Sequence, residues 1–195
     1  ETEDAIGLVG SRVVGPTIAD DIKSGAVYSI IFSLIVVFLY ILIRFRKWQF
    51  SLGAVVALLH DVLFVMGVFS LADGFLPFQL EVDQAFIAAI LTVIGYSLND
   101  TVVVFDRIRE YVNEHPKWTF NTTVDSALNS TLSRTLNTSL TTLIVLLAIF
   151  IFGGESIRGF MFALIIGVMV GTYSSVFIAT PVMFDTQAKK EATKK

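Results

Sequence analysis

The sequence predicts an all-α polytopic membrane protein with five transmembrane helices, and three observations carry that expectation. First, the 195-residue chain is 54% hydrophobic and only 16% charged, with a mean hydropathy of +0.75. A soluble domain of this size would be nearer ~45–50% apolar and ~25% charged. Second, five apolar stretches recur along the chain, each long enough to cross about 30 Å of hydrocarbon. Third, the basic residues collect on alternate connections between those stretches, as membrane insertion demands. The net charge of −3 adds nothing, because the charges are segregated by position.

Residues 1–24 are polar to mixed, with a turn expected at Gly15-Pro16. They contain no basic n-region and no cleavage site of a signal peptide. They read as the end of an exported segment. The span at 25–43 carries no charge and stops at Arg44-Phe45-Arg46-Lys47, a stop-transfer signal. The span at 50–72 is interrupted only by His60-Asp61. An acidic loop follows, with Asp73-Gly74, Pro77, Glu81 and Asp83. The span at 85–105 ends in Asp106, Arg107 and Arg109, expected to be solvated anchors with local ion pairs. His115-Pro116 breaks that helix. Thr122 with Asp125 three residues on reads as a capping box that opens a cytoplasmic helix at 119–135. This helix runs into the span at 136–153, and the span at 159–184 ends at Pro181. Residues 25–184 thus form one bundle, and 185–195 a basic tail.

Of fourteen basic residues, Arg44, Arg46, Lys47, Arg107, Arg109, Lys117, Arg134, Lys189, Lys190, Lys194 and Lys195 fall on one side. Arg12, Lys23 and Arg158 fall on the other. The asymmetry places the C-terminus in the cytoplasm. Five spans then place residues 1–24 outside, which leads to the expectation of an upstream span and an exported domain preceding this segment. Trp48, Tyr40 and Trp118 read as interfacial anchors and the phenylalanines as lipid-facing bulk. Gly167 and Gly171, continued by Ser175 and Ala179, form a small-residue step for helix packing.

The stretch AFIAAILTVIGYSLNDTVVVFDRIR, residues 85–109, organises the rest. It carries Asn99 and Asp100 inside a span, where a lone carboxylate costs roughly 2.5–3.5 kcal/mol on insertion scales. Thr92, Tyr96 and Asp100 share one face by i+4 steps, with Thr92, Gly95 and Asn99 on the neighbouring stripe. The expected arrangement turns the Ile, Leu, Val and Phe side to lipid and the polar side to a partner helix. An acidic group inside the membrane is by default an ion-pathway residue. His60-Asp61 could pass protons or could specify packing by hydrogen bonds. Ser130, Arg134, Asn137, Thr138 and Thr141 share one face of the next helix and supply an opposite charge and lining hydroxyls.

The runs VIGYSLNDTVVVFDRIRE and TLSRTLNTSLTT, with His60-Asp61 after AVVALL and VGPTIADDIKSGA before the first span, resemble the membrane part of the SecD/SecF protein-export family. The similarity covers about residues 15–181. It implies an accessory complex beside the protein-conducting channel of the bacterial inner membrane, drawing preproteins outward with the proton gradient or, in some bacteria, a sodium gradient. It implies SecD, or a fused SecD half, as partner, and a fold like half of a resistance-nodulation-division transporter without its first span and exported domain. It also aligns Arg134 with an arginine tied to transport. The ion-pathway candidates are therefore Asp100, Arg134, Asn99, Thr138, Asn137, Thr141, His60 and Asp61. A carboxylate with amide and hydroxyl oxygens could serve either H⁺ or Na⁺.

Other function classes find no support. There is no cysteine, and the two histidines have no zinc spacing. No Gly-rich phosphate loop and no nucleophile–base pair occur, so no enzyme, cofactor, metal or nucleic-acid partner is expected. The competing reading is a scaffold that docks SecD and the channel without carrying ions.

Overall fold

The structure is a computed structural model that describes the backbone of residues 16–192 and the side chains of 23–188. It is a helical bundle: α1 (Pro16–Phe45), α2 (Trp48–Ala72), α3 (Gln84–Glu114), α4 (Phe120–Phe152), α5 (Glu155–Ser174), a π-helical segment (Ser175–Ala179) and α6 (Thr180–Ala192). Five of its helical stretches are long and apolar enough to cross a membrane, the fifth running continuously from Glu155 to Ala188.

Several boundaries differ from the sequence-based expectation. Helix α1 begins at Pro16, where a turn was expected; proline suits a first helical turn because its missing N–H would be unpaired there anyway. Gly15, Arg12 and the rest of 1–15 lie outside the described residues. Helix α3 continues past residue 105 to Glu114 and stops with His115 as its C-cap, one residue before Pro116. The helix expected at 119–135 does run into the span at 136–153, as one helix of 33 residues. Its N-cap is Thr119, whose hydroxyl accepts from Thr122 N at 3.3 Å, so the capping box placed at Thr122 is displaced by three residues. Pro181 does not end the last span. The chain goes on as α6, with the wide turn just before it and Thr180 Oγ1 bonding Ser175 O at 3.0 Å. A widened turn is a recognised way to carry a helix past a residue that cannot donate.

Turn chemistry fixes the corners. Asp83 Oδ1 accepts from Phe86 N at 2.8 Å and starts α3. Gly74 adopts φ 78°, which only glycine reaches without strain, as α2 gives way to the loop. Arg46 has φ 56° in the short α1–α2 corner.

The core lies where α2, α3 and α5 meet, and small residues make it possible. A Cβ at Gly171 would sit 2.8 Å from Ser97 Cβ, and one at Gly53 would sit 3.1 Å from Met183 Cβ. The glycines therefore bring α5 against α3 and α6 against α2 at backbone distance, as membrane helix packing favours. Phenylalanine is partly core, against expectation. Phe45, Phe50 and Phe105 form a buried stack, with Phe45 and Phe50 rings 5.2 Å apart and Phe105 edge-on to Phe50 at 5.0 Å. Phe69 and Phe86 are buried as well. Such pairs add directional contact energy that a lipid-facing ring would lack. Trp48, Tyr40 and Trp118 are exposed, as anchors would be.

Candidate functional site: two carboxylates inside the bundle

Helix α3 is rotated from the expected orientation: Asp100 faces inward as expected, but apolar residues accompany it and the Thr92–Asn99 stripe does not. Ile90, Val93, Ile94, Val104 and Phe105 are buried against neighbouring helices together with Ser97, Asp100 and Thr101. Thr92, Gly95 and Asn99 are exposed, and Thr92 spends its hydroxyl on Ala88 O at 2.7 Å. The reason is the small-residue face of α5: Gly167 and Gly171 accept Val93 and Ser97, so close packing outweighs polarity in choosing the inner face.

Asp100 is 2% exposed. Among the described residues its side chain accepts a long hydrogen bond from Ser139 Oγ of α4, at 3.5 Å. Ser139 also meets Thr172 Oγ1 of α5 at 2.5 Å. The hydroxyls of Thr101 on α3 and Thr135 on α4 are buried and have no hydrogen-bond partner among the described residues. Inside an apolar bundle, a carboxylate with so few hydrogen-bond donors around it lacks the dense solvation that a charged group ordinarily requires. Arg134 is exposed on α4 and forms no ion pair with Asp100 among the described residues.

Asp61 of α2 is built differently. It is fully buried, and its Oδ2 accepts from Ser97 Oγ at 2.6 Å and from Ser174 Oγ at 2.8 Å. Its Oδ1 lies 3.2 Å from Nδ1 of His60, whose ring is half-buried near Phe64. One carboxylate thus joins α2, α3 and α5.

Asp61 and Asp100 are both buried inside the bundle, whereas Asn99, Arg134, Asn137 and Thr141 are exposed. Thr138 is half-buried and donates to Arg134 O at 3.0 Å, and Thr141 donates to Asn137 O at 3.0 Å, so both hydroxyls serve their own helix. The inward face of α4 is Thr131, Thr135 and Ser139, one step round from the Arg134 stripe. Ser97, Ser139, Thr172 and Ser174 were missed from sequence. Their signal was present: Ser97 stands three residues before Asp100, and Thr131, Thr135 and Ser139 repeat at i+4. At the end of the bundle, Arg44 pairs with Asp106 at 2.8 Å and Arg107 with Glu110 at 2.6 Å, both exposed. Exposed pairs contribute little energy, but Arg44 ties α1 to α3. Among the described residues no three His, Cys, Asp or Glu side chains come together as a metal site.

Comparison with known proteins agrees with this architecture. The family described as "Protein export membrane protein SecD/SecF, C-terminal" matches residues 2–189. A protein translocase subunit SecF of Rhodothermus marinus is 58% identical over 188 residues, 96% of this chain and 61% of its own. A protein translocase subunit SecDF of Brucella abortus is 43% identical over 93% of this chain and 23% of its own. The chain therefore spans about three fifths or less of the length of these relatives. A crystal structure of SecDF in a super-membrane-facing form superposes with a TM-score of 0.80 at 36% identity, covering 93% of this chain and 23% of that one. A Thermus SecDF, described as a translocon-associated membrane protein, gives 0.79 at 38%, covering 90% of this chain and 23% of that one. A multi-pass bundle of the SecDF membrane type, matched across nearly its whole length, places the chain in the SecD/SecF family of protein-export membrane proteins.

Proposed function

We propose that the chain is the C-terminal membrane part of a bacterial Sec export subunit and that it couples ion movement to preprotein translocation through Asp100. The observation that carries this reading is the state of Asp100: a carboxylate 2% exposed, in a membrane-spanning helix, with one hydrogen bond of 3.5 Å. Relatives named as translocase subunits supply the setting, and fused SecDF chains among them support SecD as the partner. In this role Asp100 loads and releases the ion, H⁺ or Na⁺, and Arg134 responds to the change in its charge. The two groups form no ion pair in this arrangement; a rearrangement that brought them to ~4 Å at an effective dielectric of about 20 would gain roughly 4 kcal/mol before desolvation. A fraction of it shifts a two-state arrangement that lies near balance.

The orientation is C-terminus in the cytoplasm with residues 1–24 outside in the bacterial inner membrane, supported by the segregation of basic residues. Residues 120–135 of α4 then project on the cytoplasmic side. In intact cells a cysteine at Lys117 should resist an impermeant thiol reagent and one at Gln79 should react; labelling at Lys117 refutes this topology.

Export by the assembled complex, measured with the proton and sodium gradients collapsed separately, tests the mechanism. Asp100→Asn should assemble normally and lose the gradient-dependent part of export, whereas Asp100→Glu should retain part of it. Gradient-dependent export by Asp100→Asn refutes the reading. The second reading, a scaffold that docks SecD and the channel, is favoured by the open polar stripe of Arg134, Asn137 and Thr141, which has the character of a covered interface. It predicts that Asp100→Asn is silent.

A further inference from the structure

We infer that Asp61 is a positioning residue for Asp100: it fastens α2, α3 and α5 together one turn before Asp100 and so sets the height and rotation at which that carboxylate meets α4. The inference rests on the reading of Asp100 as the ion-carrying group. Two hydroxyls from different helices, Ser97 at 2.6 Å and Ser174 at 2.8 Å, converge on a single oxygen of Asp61. That geometry needs α3 and α5 at backbone distance, and Gly171 supplies it: a Cβ there would lie 2.8 Å from Ser97 Cβ. Ser97 precedes Asp100 by three residues, about 4.5 Å along the helix and close to the same face. Whatever fixes Ser97 therefore fixes the backbone that carries Asp100.

Helix α4 packs on α3 and α5 and reaches them through hydroxyls: Ser139 to Thr172 and to Asp100, Thr142, which accepts from Tyr96 OH at 3.3 Å, and Ser130, which accepts from Arg107 Nε at 3.1 Å. Among the described residues the Asp61 carboxylate thus fastens α2, α3 and α5, and α4 joins them without a bond to it. The relation between Asp100 and Arg134 is fixed from the Asp61 side.

An amide at position 61 separates positioning from ion carriage. Asn retains an oxygen that can accept both serine hydroxyls, but it cannot carry a proton or a charge. Among the described residues His60 on α2 is the titratable group that meets Asp61, while Tyr96 on α3 bonds Thr142 and Arg134 lies on the exposed face of α4; α5 contributes the hydroxyls of Thr172 and Ser174.

The test measures gradient-dependent export against pH for the full complex in membrane vesicles, with Asp61→Asn, Asp61→Leu, Ser97→Ala and Asp100→Asn run in parallel. Asp61→Asn should keep at least half of the gradient-dependent export with the pH midpoint in place. Asp61→Leu should lower it about tenfold, which corresponds to ~1.4 kcal/mol. Ser97→Ala retains the Ser174 bond and should leave the melting temperature nearly unchanged, yet displace the pH midpoint by about half a unit as Asp100 shifts in its surroundings. An Asp61→Asn complex that assembles but is as inactive as Asp100→Asn overturns the inference, since Asp61 would then carry the ion itself. So does a Ser97→Ala midpoint that does not move. Beside an inactive Asp100→Asn, either result sinks only this inference; gradient-dependent export by Asp100→Asn sinks the ion-carrier reading and this inference with it.

Discussion

Helix α4 carries two polar stripes, and they meet different fates. The inner stripe, Thr131, Thr135 and Ser139, is buried against α3 and α5. The outer stripe, Arg134, Asn137 and Thr141, faces open surroundings beside Asn99 of α3. Polarity does not separate them, because hydroxyls appear in both. Size does: the inner stripe consists of small residues that permit close helix approach, whereas Arg134 and Asn137 need room. An open polar stripe in an apolar span is expensive against lipid and acceptable against a partner helix or water. The difference teaches that the inner stripe holds the chain together, whereas the outer stripe takes no part in packing the described residues.

The largest expected effect comes from the outer stripe. Arg134→Met keeps the length of the side chain and removes the charge, so it should abolish gradient-dependent export while the isolated chain melts at the same temperature. A large drop in that melting temperature would mean the stripe is structural and the contrast false.

Next comes the inner side. Gly171→Leu inserts a side chain where even a Cβ would lie 2.8 Å from Ser97 Cβ. Overpacking of this kind destabilises by about 1–3 kcal/mol or more. Thermal unfolding in detergent measures it, and unchanged stability would remove the basis for a tightly packed α3–α5 contact.

The smallest effects sharpen the line between the stripes. Ser139→Ala removes bonds to Thr172 and Asp100 and should lower the stability of the isolated chain by ~0.6 kcal/mol, the average for such bonds in membranes. Thr141→Ala removes bonds only to its own helix and should leave that stability alone while weakening co-purification with SecD. Equal behaviour of the two variants would erase the distinction.

Much of this was legible in the sequence. Five spans follow from hydropathy, and the connection after α3 follows from His115-Pro116. Asp100 announces itself because a carboxylate inside an apolar run has few structural excuses. The inward face of α3 was not legible, because periodicity shows which residues share a face and not which face is covered. Only the glycines of α5, which sit far away in sequence, decide that Ser97 and Val93 go inside. The same holds for Asp61. Beside His60 it could pass protons or specify packing, and the hydroxyls that distinguish these roles come from residues 97 and 174. The end of the last span was misjudged at Pro181 because the π-helical segment that carries the chain past it has no pattern of its own.

The length of α4 has a mechanical consequence. Taken as a rod resting on Ser139, it extends 19 residues toward Phe120 and 13 toward Phe152, roughly 28 Å and 20 Å. A tilt of about 5° at that fulcrum carries the Phe120 end roughly 2.5 Å one way and the Phe152 end about 1.7 Å the other. A displacement at Asp100 too small to alter the packing around it therefore emerges at both ends of the rod, in opposite directions, as movement on the scale of an atom or more.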